Sequence, residues 1–226
     1  MQQPYYDAGG ITIYHGDSHE LLPTLGLPRP DLLVLDPPFT AWHDVPRTDA
    51  ATVIAFTKFQ QRAHVEALYG QPRTEVIWHF LDGRWVSHQL PIVTHETVLV
   101  YGALNEMYLG PAQDQTPQPI APHRHLQRVK SERTTYTPRA RRALNSVLVF
   151  PQNPGTEELG RWAKPAGLMR TLMEWALTGP LVLDPYMGGG TTLRIAKELG
   201  ARAVGIEIEE RYCEYAAQRM GQEVLV

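Results

Sequence analysis

The sequence predicts an α/β fold, a mostly parallel sheet with helices on both faces. Three features predict it. Short apolar runs at 32–35 and 181–183 have the length and composition of buried strands. Each closes on an acidic residue followed by proline: Asp36-Pro37-Pro38-Phe39 in one case, and Asp184-Pro185-Tyr186-Met187-Gly188-Gly189-Gly190-Thr191-Thr192 in the other. Stretches of helical period separate runs of this kind, and strands alternating with helices are the pattern of a parallel sheet. An acid that closes such a strand stands at the carboxyl edge of the sheet, where open α/β sheets hold their ligands.

The elements follow in order. A strand over 11–14 ends in His15-Gly16-Asp17, and a helix is expected over 18–25. The strand 32–35 comes next, then a strand over 53–56 and a helix over 60–69 stopped by Gly70. Residues 75–80 and 97–101 alternate in the manner of strands. From 102 to 160 the pattern breaks down, because Pro111, Pro117, Pro119, Pro122 and Pro138 exclude long regular elements. Only 146–150 reads as a strand there. After Pro165, Leu168, Leu172, Trp175 and Ala176 fall at helical spacing before Gly179. Strand 181–183, helix 191–199 and strand 203–206 form a βαβ unit, and a last helix covers 209–219. This organisation is one domain over 1–226 carrying an insertion at 102–160.

A length of 226 residues with 43% hydrophobic content fits one core of that size. No apolar run is long enough to span a bilayer, and the first residues show no basic-then-apolar signal, so no membrane association is expected. The single cysteine, Cys213, excludes an internal disulfide and makes a reducing cytoplasm the expected compartment. It reads as a packing residue. The formal net charge of −3 is unevenly distributed. Arg124, Arg128, Lys130, Arg133, Arg139, Arg141 and Arg142 crowd one stretch of the insertion beside the lone acid Glu132, while the remainder of the chain is acidic. A basic stretch on an acidic body suggests a surface for a polyanion. Pairs such as His15 with His19 and His123 with His125 lack cysteine partners or a His-Glu-x-x-His pattern, so no metal is expected.

The two turns suit different tasks. The consecutive glycines after Asp184 let a ligand lie against backbone beside the N–H groups that open the next helix. No Gly-Lys-Ser/Thr follows, and the Gly-x-Gly-x-x-Gly spacing is missing, so neither a phosphate-cradling ATPase loop nor a dinucleotide fingerprint is present. The acid at the strand end favours a cationic or zwitterionic ligand. Glu207 closes the next strand at the separation where an acid meets ribose hydroxyls in nucleotide-binding βαβ units; opening the following helix as an N-terminal charge is its plainer use. In the other turn, the Asp36 carboxylate and the Pro37 carbonyl are both placed to accept from one exocyclic amino group. Phe39 is placed to stack on the ring that bears it. The plainer use of a Pro-Pro pair is to stop the strand.

In these residues the chain resembles the S-adenosylmethionine-dependent DNA amino-methyltransferases of the permuted β type, which act on adenine N6 or cytosine N4. Gly16-Asp17 matches an early Gly-Asp element, and Asp36 to Phe39 the catalytic Asp/Asn/Ser-Pro-Pro-aromatic motif. His95-Glu96 matches a His-Glu element before a late strand, and Lys164-Pro165 with Leu168 and Met169 a helix that closes over the methionine part of the cofactor. Asp184 to Thr192 matches the Asp-Pro-Phe-x-Gly-Ser-Gly-Thr-Thr form, and Gly205-Ile206-Glu207 the ribose-binding strand. Tyr186, Gly189 and Phe39 depart mildly from the usual Phe, Ser and Tyr. The His-Pro part of the approach to Lys164 is replaced by Arg161-Trp162-Ala163, so no His contact carries over.

The resemblance implies a Rossmann-like methyltransferase fold with circularly permuted motif order. It implies S-adenosylmethionine as cofactor and S-adenosylhomocysteine as product, without metal. The implied catalytic residues are Asp36, Pro37, Pro38 and Phe39. The implied cofactor residues are Asp17, Lys164, Pro165, Asp184, Pro185, Tyr186, Met187, Gly188, Gly190, Thr191, Thr192, Glu207 and Ile208. The basic residues of the 102–160 segment are candidates for contacts to double-stranded DNA, with affinity that falls steeply with salt. Methylation of cytosine carbon needs a nucleophilic Cys, and Cys213 has no such setting. In that family an Asp at the head of the turn goes more often with adenine and a Ser with cytosine. The expected activity is therefore site-specific methylation of adenine N6 in DNA. The alternatives are cytosine N4, a catalytically idle DNA-binding module, and an RNA or protein-amide methyltransferase. A homodimer and a cognate restriction endonuclease are compatible partners.

Overall fold

A computed structural model of the chain describes residues 2–38, 40–84, 89, 92–106, 144–152 and 163–221. The described strands are β1 (Tyr6–Ala8), β2 (Ile11–His15), β3 (Leu32–Leu35), β4 (Thr52–Thr57), β5 (Thr74–Arg84), β6 (Val93–Gly102), β7 (Val147–Val149), β8 (Leu181–Asp184) and β9 (Arg202–Glu207). The helices are α1 (Ser18–Leu21), α2 (Arg62–Tyr69), α3 (Ala166–Ala176), α4 (Thr191–Glu198) and α5 (Glu210–Gly221), with a single 3-10 turn over Trp42–Asp44. All the strands join one sheet in the order β1-β2-β9-β8-β3-β4-β6-β5-β7. Only β1 and β6 run against the common direction, so the sheet is mostly parallel. Residues Met1–Asn105 with Asn145–Val226 form one compact unit, to which β7 belongs, and Glu106–Leu144 form a second. The basic residues from Arg124 to Arg142 lie outside the described residues.

Alternate residues of the strands face opposite ways, and both faces are covered. Leu33, Leu35, Val53, Ala55, Leu99, Leu181 and Leu183 share one cluster with Trp42, Val45 and Val65 of α2. The opposite face meets a layer in which α3 packs on α4 and α4 on α5. Strands buried on both faces must be apolar at successive positions, which is why β3 and β8 read as unbroken runs rather than as alternation.

The structure departs from several expectations. The hairpin strand β1 was not anticipated; Gly9 and Gly10 both take positive φ (59° and 80°), a two-residue turn that pairs three polar-rich residues onto β2. Helix α1 stops at Leu21 instead of reaching 25, because Pro23 has no N–H to continue the ladder. In α3 the buried face is Leu168, Met169, Leu172, Met173 and Ala176, with Trp175 only partly covered. Strands β5 and β6 extend well past the apolar cores expected at 75–80 and 97–101, so His95-Glu96 lies inside β6 rather than before it. Their mutual pairing supplies backbone partners where side-chain pattern gave no signal.

Candidate active site

Four neighbouring parallel strands, β2, β9, β8 and β3, each leave the sheet at the same edge through an acid. His15 stands opposite Glu207, Asp184 opposite Gly205, and Leu33 opposite Leu183. Asp17, Glu207, Asp184 and Asp36 are thereby aligned along one rim. The strand pair β3–β8 joins parts of the chain far apart in sequence, and Asp31 Oδ2 accepts from Leu181 N across 150 residues to fix its register.

Around the glycine turn, side chains close on backbone. Asp184 is 3% exposed; its Oδ1 accepts from Tyr186 N at 3.0 Å, and Thr192 also bonds it. Burial lifts its carboxyl to about 7 against those hydrogen bonds, with Asp36 and Glu207 adding repulsion. Glu207 accepts from Gly188 N through Oε2 at 2.9 Å and from Glu209 N through Oε1 at 2.8 Å, which ties the turn to the end of β9. Burial raises its pKa as well. The two glycines are needed for different reasons. Gly188 has φ of 50° with open space where a Cβ would stand, so a ligand can approach its half-buried backbone. Gly190 has φ of 75°, and a Cβ there would lie 2.9 Å from Ala216 Cβ, so it serves helix packing. Asp17 caps α1 by accepting from His19 N at 2.8 Å, and Gly16 N donates to Glu207 O, which brings β2 and β9 ends together. Pro185, Met187, Thr191 and Thr192 are buried, whereas Ile208 is 62% exposed.

A stability consequence follows from Asp184. An acid whose pKa is raised in the folded state stabilises it below the unfolded pKa near 4 and loses that contribution as pH rises through about 7. Asp184→Asn is therefore expected to melt higher than the parent at pH 8, on the order of 4 °C, with the gap shrinking at pH 5. Thermal denaturation at the two pH values checks this; a gap that grows at pH 5 contradicts the burial argument.

At the other turn, Pro37 is buried and Pro38 exposed, and Pro38 O accepts from Ala41 N. The Pro37 carbonyl takes no hydrogen bond from a described residue. Phe39 lies outside the described residues. Lys164, which the resemblance assigns to the cofactor, lies on Asp36: Nζ is 2.8 Å from Oδ1 and 2.6 Å from Oδ2. Glu96, 4% exposed, lies on its other side with Oε2 at 3.4 Å. The ammonium rests over the Phe56 ring at 4.8 Å and near the Trp78 ring at 5.9 Å. Burial raises the Asp36 carboxyl to about 6; Lys164 pulls it down, Glu96 pushes it up, and Lys58 pulls it down slightly. Burial opposes the charge on Lys164, but the two carboxylates outweigh it and raise its pKa. Pro165 forms the N-cap of α3 and so fixes where Lys164 enters the site.

Sequence reasoning did not place Glu96, Phe56 and Trp78 in this site. The His-Glu pair was the available signal for Glu96; nothing local marks the two rings, which are ordinary strand residues until Lys164 arrives from a distant segment. Cys213 is buried, and burial pushes its thiol up to about 12, which opposes the thiolate form that nucleophilic attack requires. No described helix is long and apolar enough to cross a membrane.

The family model of N6/N4 DNA methylases matches residues 51–218. The type II methyltransferase M2.DpnII of Streptococcus pneumoniae is 24% identical over 99% of this chain and 94% of its own length. The type II methyltransferase M.ScaI of Streptomyces caespitosus is also 24% identical, over 99% of this chain and 85% of its own. Among solved structures, the cytosine-N4-specific PvuII DNA methyltransferase superposes with a TM-score of 0.67 at 14% identity, covering all of this chain and 91% of its own. M1.HpyAVI in complex with SAM superposes at 0.61 and 19% identity, over 93% of this chain and all of its own. These likenesses establish the Rossmann-like methyltransferase fold, with the Asp36-Pro37-Pro38 turn preceding the glycine turn along the chain. With its acids aligned on one rim and most of its length matched, the chain belongs to the N6/N4 DNA methylase family.

Proposed function

We propose that the chain transfers a methyl group from S-adenosylmethionine to the exocyclic N6 of adenine in double-stranded DNA, by direct in-line transfer to a base turned out of the duplex. The observation that carries this reading is the adjacency of β3 and β8, which puts Asp36 beside the Asp184–Gly188 turn at one sheet edge.

The residues fit the cofactor. The rim is acidic, as a ligand with a sulfonium and an ammonium requires, and Gly188 leaves backbone open. Glu207 keeps lone-pair capacity for ribose hydroxyls beyond the backbone N–H groups of Gly188, Glu209 and Ile208 that it already accepts. Asp17, Glu207, Ile208, the 184–188 turn and Thr191-Thr192 would hold it, with Gly190, Lys164 and Pro165 shaping their surroundings. When bound, it supplies an electrophilic methyl group. Asp36 and the Pro37 carbonyl accept the two amino hydrogens, favour a tetrahedral nitrogen and aim its lone pair. The amino nitrogen is a poor nucleophile because its lone pair is conjugated into the ring, so positioning and charge supply the rate. Phe39 stacks on the base and offsets part of the cost of extrusion. The whole of 1–226 acts as the catalytic domain, with 102–160 as the target-recognition segment. Arg124, Arg128, Lys130, Arg133, Arg139, Arg141 and Arg142 contact phosphates, so affinity falls steeply with salt.

Product analysis tests the reading. DNA treated with the protein and labelled cofactor is expected to yield 6-methyladenine. Finding 4-methylcytosine would reassign the base, and labelling of RNA or protein in place of duplex DNA would reassign the substrate.

Asp36 also sets a pH dependence. Only the ionised carboxylate accepts both ways, so kcat/KM, which reports the free enzyme, should be flat above neutrality. It should fall about tenfold per pH unit below about 6. A profile flat down to pH 5 excludes a titrating Asp36.

A further inference from the structure

The Asp36 carboxylate has a competitor for the role just given to it. Lys164 Nζ bonds both of its oxygens, at 2.8 and 2.6 Å, so the hook that should receive an amino group is already engaged by an ammonium. Lys164 is 9% exposed and cannot turn to solvent without leaving a buried place between the Phe56 and Trp78 rings. A second acceptor is in reach. Glu96 Oε2 is buried and stands 3.4 Å from the same nitrogen, a long ion pair and its one polar contact among the described residues. A buried carboxylate oxygen held only by a long ion pair is costly unless a donor comes closer. Two acids share one ammonium, so the cluster is short of a donor by the amount a bound amino group would bring.

We propose that Glu96 is a positioning residue for the reaction: it takes Lys164 over from Asp36 when the target amino group arrives, and so turns the Asp36 oxygens toward that group. The movement is small, since Nζ has to travel from hydrogen-bond distance of one carboxylate to that of the other. Phe56 and Trp78 keep the ammonium on that line throughout. Lys164 thus holds Asp36 in one orientation while the site is without substrate, and releases it without crossing an uncompensated state. The charged groups that face Asp36 are Lys164, Glu96 and Lys58, and Asp184 is close enough to repel it. The proposal rests on Asp36 being the amino-group hook, so the experiment separates the two.

The experiment compares the full-length parent with Asp36→Ala, Glu96→Gln, Glu96→Asp and Lys164→Met, measuring methyl transfer to duplex DNA across pH together with cofactor binding. Glu96→Gln is expected to lower kcat on the order of tenfold with KM for cofactor and DNA little changed, because Lys164 stays on Asp36. Its acid limb moves to lower pH, since one negative neighbour of Asp36 is gone. Lys164→Met moves the acid limb to higher pH, since the positive neighbour is gone. Glu96→Asp keeps the charge and regains part of kcat with the parental acid limb. Opposite displacements from two neutralising changes would not arise from loosened packing. A parental kcat and acid limb in Glu96→Gln, or displacements of the same sign in the two variants, overturn the proposal while an inactive Asp36→Ala still upholds the hook. If Glu96→Gln fails to bind cofactor or to fold, a parental kcat in Glu96→Asp, or an acid limb in Lys164→Met that stays in place or moves to lower pH, overturns the proposal. Full activity of Asp36→Ala removes the hook and this proposal together.

Discussion

Asp36→Ala is expected to reduce methyl transfer to DNA by about a thousandfold or more, with cofactor affinity nearly unchanged. The carboxylate is the acidic acceptor of the Asp36-Pro37-Pro38 turn, and it closes β3 beside the strand that carries the glycine turn. Removing it leaves the Pro37 carbonyl as a single acceptor for two amino hydrogens, so the nitrogen keeps its planar, conjugated form. The residues proposed to hold the cofactor lie at or after the ends of β2, β8 and β9 and retain their own hydrogen bonds, from Gly188 N and Glu209 N to Glu207 and from Tyr186 N to Asp184. One side effect is foreseeable. Lys164 would keep only Glu96 as an acidic partner, so the alanine protein should also melt lower. Asp36→Asn preserves shape and one acceptor oxygen, and is expected to fall between the two in rate. Labelled-methyl transfer with calorimetric cofactor titration checks both; turnover within tenfold of the parent would remove Asp36 from the chemistry.

The second large effect is on cofactor binding. Glu207→Ala is expected to weaken it about a hundredfold, the scale of losing two hydrogen bonds to a charged group. Part of the loss is direct, through the ribose hydroxyls. Part is structural, because Glu207 is the tie between the Gly188 backbone and the end of β9. At saturating cofactor kcat should recover to within a few-fold, since Asp36 and its neighbours are untouched. Glu207→Gln keeps one acceptor and should lie between. Unchanged affinity in the alanine protein would show that this acid is only a helix-opening charge, the plainer reading of its position.

How much of this was legible in the chain depends on the range of the interaction. The strands β3, β8 and β9, the turns that close them and the helix after Gly190 are local signals: apolar runs, strand-ending acids and glycines at positive φ. The hairpin strand β1 and the full lengths of β5 and β6 were not legible, because backbone pairing with a neighbour, rather than side-chain pattern, holds those residues extended. Helix α3 showed its period but not its face, since which of Met173 and Trp175 turns inward is set by α4 and the sheet.

The site divides the same way. Asp36, Asp184, Gly188 and Glu207 could be named from the sequence, each lying at or just after the end of a strand whose position alone fixes the edge it occupies. Lys164 could be named as well, but its neighbour could not. Its pattern points to the cofactor, and the fold sets it between Asp36 and Glu96, over two rings from strands β4 and β5. By itself the sequence determined the fold class and the two strand-ending turns, because secondary structure and strand-end residues are encoded within a few positions. Only the tertiary structure decided that two carboxylates, one just after β3 and one in β6, share the single ammonium at the entry to α3. The reason is that burial, which sets the strength of charge interactions, is a property of everything packed around a group and not of its neighbours in the chain.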